Sequence, residues 1–155
     1  LAQMPLPVQP YDEPFLPFGK AIVDATHDLV SGYVFDLAAY LTLGAAGAIA
    51  LERTIAYART GDSLTILHGA FMSAAYASAA AAFSVDAVTL ASVYPEIEAA
   101  YHAVGIAVFR LESGWLVRPD GLRRLSVVGA DTINARRGED FAARLPAALQ
   151  AGQQS

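Results

Sequence analysis

Apolar residues along this chain recur first at helical spacing and then in short unbroken runs, and the two patterns alternate. Phe18–Leu29 places Ile22, Ala25 and Leu29 on one face and predicts a helix. Val30–Phe35 is a short β-like run. Ala45–Arg59 is the clearest helix, with Ala48, Leu51, Ile55 and Ala58 as its inner stripe and Glu52, Arg53 and Arg59 facing water. A Gly61-Asp62 turn leads into Leu64–Leu67, an apolar run without alternation, as strands covered on both faces show. Ser73–Phe83 reads as an alanine-rich helix, Asp86–Leu90 as a second buried strand and Tyr94–His102 as a short helix. Gly105–Leu111 and Trp115–Val117 flank Ser113-Gly114, a candidate hairpin turn. Leu125–Val128 is a further strand. Glu139–Leu149 is a terminal helix whose first turn carries Glu139 and Asp140, matching the helix dipole, and Pro146 is expected to kink it.

Strands alternating with helices imply an α/β domain with parallel pairing and right-handed crossovers. At about 30 residues per strand–helix unit, 155 residues hold about five units. A closed eight-unit barrel needs at least about 200 residues, so the expected sheet has open edges and an apolar inner face. Self-association is the first expectation for what covers them, a larger assembly the second. Before this domain, Pro5, Pro7, Pro10, Pro14 and Pro17 fix φ and remove donors, which predicts an extended arm over residues 1–17 followed by a single domain over 18–155. The arm reads either as a disordered tail or as an arm laid over a partner subunit with Leu6, Val8, Tyr11, Phe15 and Phe18 as anchors, five large apolar side chains being many for a solvated tail.

Composition narrows the function. Charged residues make up 16% and hydrophobic ones 55%, much of the excess being alanine, so the core should be closely packed rather than bulky. A net charge of −5 argues against nucleic acid as a partner. The chain has no cysteine, which excludes disulfides and thiolate metal sites. His27, His68 and His102 are scattered without metal-ligand spacing, so neither a metal nor a cofactor is expected. Ser63–Val85 lacks charge over a length close to a bilayer span. It also contains His68, Gly69 and a change from strand-like to helix-like pattern, so a buried strand followed by a small-residue helix is the better reading. No basic segment followed by an apolar core suggests a signal peptide, and a cytoplasmic location is expected.

The order GAAGAIALERTIAYA (Gly44–Ala58), LTILHGAF (Leu64–Phe71) and VDAVTL (Val85–Leu90) resembles the orotidine 5′-phosphate decarboxylase family. There a G-x-x-G-x-x-x-L-E-R-T-I-A helix precedes a strand ending in a D-x-K-x-x-D cluster. The resemblance implies a partial or degenerate TIM-barrel-like sheet with parallel strands and flanking helices. It also implies a site in which a strand-end lysine protonates C6 of the pyrimidine as carbon dioxide leaves, with aspartates and a second lysine around it. This sequence departs at those positions: His68, Ala70 and Ser73 stand where the cluster would be, and Val34 takes the place of the preceding-strand lysine, with Asp36 two residues on. The one lysine in the sequence, Lys20, lies on an early helix. No neutral side chain supplies that proton or that field.

His68, at a strand end, reads either as a general acid or ligand contact or as a histidine hydrogen-bonded in a packed strand end. Gly129-Ala130-Asp131-Thr132-Ile133-Asn134-Ala135-Arg136-Arg137-Gly138 is similar to the family's last strand and loop, G-A-D-x-I-x-x-x-R. The resemblance makes Arg136, Arg137 and Gly138 candidates for binding a phosphate at a helix start, the bland alternative being a solvated arginine pair or one paired with Glu139 and Asp140. The expectation is a non-catalytic relative of the decarboxylase acting as a structural or assembly subunit of a homo-oligomer or larger complex. The alternatives are a module binding a phosphorylated small molecule or nucleotide, and a residual decarboxylase-type lyase.

Overall fold

Helix and strand alternate along the chain as the sequence pattern requires, and the computed structural model describes residues 4–71, 73–121, 124–128, 138 and 140–152. Four parallel strands, β1 (Gly32–Asp36), β2 (Leu64–Phe71), β3 (Ala87–Leu90) and β4 (Ala107–Glu112), continue through β5 (Trp115–Val117) and β6 (Arg124–Ser126) into one sheet of order β1-β2-β3-β4-β5-β6. The last two strands pair antiparallel, β4 with β5 and β5 with β6. Helices α1 (Phe15–Thr26), α2 (Leu37–Leu41), α3 (Gly44–Arg59), α4 (Ala77–Ala82), α5 (Pro95–Ala103) and α6 (Phe141–Gly152) complete the domain. The sheet curls into a half-barrel with helices on its outer side.

Side chains divide between two cores by strand register. Phe35, Leu67, Val88 and Val108 pack with Leu51, Ile55 and the other helices' apolar residues in the larger, outer core. Ile66, Ala87, Phe109 and Leu116 form the inner one, with Leu64, Ala107, Leu125 and Val127 against it. Successive residues of a strand face opposite sides, so the first set points to the helices and the second to the concave side. The β5–β6 hairpin supplies Leu116 and Leu125 to that concave floor. The turn before β5 follows the expected Ser113-Gly114 pair, both with positive φ (47° and 82°), as a two-residue hairpin requires.

Where the elements depart from the sequence reading, local causes are visible. Helix α1 begins at Phe15 rather than Phe18, because Glu13 accepts hydrogen bonds from the Phe15 and Leu16 amides at 2.6 and 3.2 Å. Pro17 then falls in the first turn, where its missing N–H costs nothing. Its buried residues are Gly19, Val23 and Thr26, one step round from the expected Ile22, Ala25 and Leu29. The reason is Gly19, which lies against α3: a Cβ there would come 2.3 Å from Thr54 Cγ2. Strand β2 runs four residues beyond the expected Leu67. The expected Ser73–Phe83 helix is a 3-10 turn (Ala74–Tyr76) followed by the shorter α4. The α2 turn was not anticipated; Asp36 caps it.

The proline-rich segment carries a 3-10 turn at Leu6–Val8, with Met4 and Val8 buried. Phe15 packs its ring 4.9 Å from that of Tyr40, and Phe18 lies 5.9 Å from Phe141 on α6. Leu6 and Tyr11 are exposed.

Candidate functional site

Parallel sheets with flanking helices place their sites at the carboxyl ends of the strands. Register lines up Asp36, His68, Thr89 and Phe109 in one row across β1 to β4 at that end. Each lies two residues beyond a concave-side position (Val34, Ile66, Ala87 and Ala107), so the row borders the concave floor. The structure therefore brings together three of the sequence candidates, Val34, Asp36 and His68, and adds Thr89.

Each polar member of the row has a structural hydrogen bond. Asp36 Oδ1 accepts from the Ala38 and Ala39 amides at 2.9 and 3.2 Å, satisfying the first turn of α2. His68 Nδ1 lies 2.7 Å from Thr89 Oγ1, and Thr89 is only 2% exposed. The bond is compatible with the reading of His68 as a hydrogen-bonded strand end, and it leaves Nε2 on the far edge of the ring. Beyond His68 the pairing of β2 with β3 slips, from His68↔Thr89 to Phe71↔Leu90, a bulge that locally re-aims the strand. Ala70 lies within that bulge. Ser73 Oγ accepts from the Ala75 amide at 3.2 Å and so caps the 3-10 turn.

The charges of a decarboxylase do not reappear from elsewhere among the described residues. Lys20 is on α1 in the outer layer, its Nζ 4.7 Å from the centroid of the Tyr57 ring, whose hydroxyl donates to Asp24 at 2.6 Å. No cluster of three or more potential metal ligands occurs among the described residues. No helix among them is long and apolar enough to cross a membrane. Arg136 and Arg137 lie outside the described residues; Gly138 is exposed ahead of α6.

A cavity of about 330 Å³ opens at the opposite end of the strands, lined by Ser31, Arg59, Asp62, Ser63, Leu64 and Asp86. Two of its lining residues, Asp86 and Arg59, tie the start of β2 to the segment leading into β3. Asp86 Oδ2 accepts from the Thr65 amide (2.8 Å) and hydroxyl (2.6 Å), while its Oδ1 lies 2.9 Å from Arg59 Nη1. Burial pushes the Asp86 carboxyl upward, but the Thr65 bonds and the Arg59 charge outweigh it and hold it below the usual value of 3.8. Strand geometry favours the Asp36–His68–Thr89 end as the functional one, and the cavity at the other end lies beside a structural clasp. Neither Thr89 nor this clasp was singled out from the sequence. The only available signal was polar residues inside apolar strand runs, Thr65 in LTILH and Thr89 in DAVTL.

No protein-family model matches the chain. Among curated proteins, it is 46% identical over 48 residues to orotidine 5′-phosphate decarboxylase of Parabacteroides distasonis, covering 31% of this chain and 17% of that protein. It is 44% identical over 78 residues to the enzyme of Herpetosiphon aurantiacus, covering 47% and 29%. The match to the Flavobacterium johnsoniae enzyme is 39% over 57 residues, covering 37% and 21%. The matched stretches thus span less than a third of each of these relatives. The fold is similar to a crystal structure described as a putative orotidine-monophosphate-decarboxylase from Toxoplasma gondii, with TM-score 0.60 and 27% identity over 70% of this chain and 39% of that one. A second such structure, from Streptomyces avermitilis, matches with TM-score 0.52 at 22% identity over 68% of this chain and 41% of that one, and supports the fold alone. With the LERTIA helix leading into β2, and β2 into β3, the chain is similar in sequence and in fold to part of the orotidine 5′-phosphate decarboxylase family.

Proposed function

We propose that this chain is a non-catalytic member of that family, serving as a structural or assembly subunit of an oligomer or larger complex. The observation that carries the reading is the row at the strand ends. Decarboxylation of orotidylate needs a proton donor and fixed negative charge there, and the chain presents Val34 and His68 on that side, with Asp36 capping a helix and His68 bound to Thr89. Asp36 Oδ1 is engaged by two backbone amides, and His68 Nδ1 by a buried hydroxyl, which supports structural roles for both. The edge positions of β1 and β6 among the described strands, and exposed apolar side chains at Val34, Leu41, Ile49 and Trp115, support a role in association.

The test combines turnover and mass. The purified chain is expected to leave orotidine 5′-monophosphate unchanged above the uncatalysed background. It is also expected to sediment as a species larger than a monomer, alone or with a co-purifying partner. Decarboxylation well above background overturns the non-catalytic reading, and a stable monomer without partners overturns the assembly role.

A further inference from the structure

The cavity at the amino ends of β1 and β2 uses only part of its hydrogen-bonding capacity. It measures about 330 Å³ and is lined by Ser31, Arg59, Asp62, Ser63, Leu64 and Asp86. The pairing of Gly32 with Leu64 begins the sheet, and the Leu64 amide donates to the Ser31 carbonyl at 3.0 Å. Ser31 and Ser63 therefore stand side by side just ahead of the first rung. Ser63 is only 8% exposed, yet its hydroxyl has no hydrogen-bond partner among the described residues. Buried hydroxyls are nearly always paired, with protein or with a molecule that the protein surrounds. Its place on the cavity wall supplies room for such a molecule.

Charge in the cavity is unevenly matched. Arg59 Nη1 donates to Asp86 Oδ1 at 2.9 Å and to the Ser84 carbonyl at 2.6 Å, while Asp86 Oδ2 takes the Thr65 amide and hydroxyl. That cation and that anion offset each other. Asp62 has no ion-pair partner among the described residues, so one arginine and two aspartates leave the lining a net charge of −1. These groups select a ligand class. A carboxylate and two hydroxyl oxygens accept hydrogen bonds, and a primary ammonium offers three donors. An anion would instead meet an unbalanced aspartate. None of the six lining residues is aromatic, so a quaternary ammonium finds no ring face. The described residues gather no cluster of three metal-ligating side chains. The volume falls at the lower end of the about 300–1,000 Å³ of small-molecule sites, which suits a ligand of few heavy atoms.

We propose that this cavity binds a small hydroxylated primary amine. Its ammonium sits on Asp62 and the Ser31 and Ser63 hydroxyls, and its own hydroxyl accepts from the edge of the Arg59 guanidinium that Asp86 leaves unused. The site lies at the opposite end of the strands from Asp36, His68 and Thr89 and does not depend on the assembly reading.

The experiment titrates the full chain with ethanolamine by calorimetry at low ionic strength, beside ethylene glycol, acetate and tetramethylammonium, and locates the contact by amide chemical shifts. Saturable binding of ethanolamine is expected, with shifts concentrated at Ser31, Ser63 and Leu64, and no comparable binding of the other three. Asp62→Asn and Ser63→Ala, each checked for native circular dichroism, are expected to weaken it at least about tenfold, the loss of one hydrogen bond to a charged group. Absence of ethanolamine binding overturns the proposal, as does equal binding in either variant. Preference for acetate overturns the charge assignment and with it the ligand class.

Discussion

His68 and Thr89 meet across β2 and β3, with Nδ1 of the imidazole 2.7 Å from the threonine hydroxyl. Thr89 is buried and His68 is half-buried, so this contact joins the polar ends of two central strands where neither side chain has water as a full substitute. Thr89→Val keeps the shape and removes the hydroxyl, leaving the imidazole nitrogen unpaired at a cost of about 1–3 kcal/mol. Urea denaturation should show the loss in Thr89→Val and near-native stability in Thr89→Ser. Equal midpoints for Thr89→Val and the parent chain would mean that the bond holds nothing together.

Asp36 caps the start of α2. Asp36→Ala is expected to destabilise the fold by about 0.5–2 kcal/mol, the usual cost of a lost N-cap, whereas Asp36→Asn retains an accepting oxygen and should cost little. Thermal melts of the two variants distinguish this capping role from a need for negative charge, which asparagine would not meet.

Gly19 allows α1 to lie against Thr54 of α3, where an added Cβ would come 2.3 Å from Cγ2. Gly19→Ala is therefore expected to cost about 1–3 kcal/mol through overpacking. Adding Thr54→Ser removes the obstructing methyl while keeping the hydroxyl, which bonds the Ala50 carbonyl at 2.7 Å. The double variant should recover part of the loss, and additive destabilisation in that cycle would remove the steric explanation.

The Asp86 clasp gives the stability a pH dependence of known sign. Its carboxyl is held below 3.8 in the folded state, so the stabilisation is present above that value and is lost as pH falls through the lower, folded-state value. Denaturant midpoints measured downward from pH 5 should fall more steeply for the parent than for Asp86→Asn, which lacks the titrating group. Parallel curves would assign the acid sensitivity to other carboxylates.

Much of the architecture was readable in the sequence because apolar runs of different period mark different elements. The Ala45–Arg59 stripe, the turn at Ser113-Gly114 and the buried runs at β2 and β3 emerge near their expected places. What was misplaced depends on contacts distant in sequence. The face of α1 is set by a glycine meeting Thr54 on another helix, and its start by the Glu13 side chain rather than by proline spacing. The candidate site shows the same division. Alignment of the LERTIA helix placed Val34, Asp36 and His68 at strand ends, and register gathers them on the concave side. Thr89 stayed hidden because only the pairing of β2 with β3 brings it opposite His68.

Burial across one register row also orders the sheet in time. Val34 on β1 is 37% exposed, whereas its row-mates Ile66 and Ala87 are 2% and 0% exposed, so shielding rises steeply from the margin to the middle. Transient opening should begin at β1 and at β6 and reach β2 and β3 last, giving their amides the slowest deuterium uptake. Whatever binds an outer strand would lengthen the lifetime of that weakest part, and the centre would scarcely register the event.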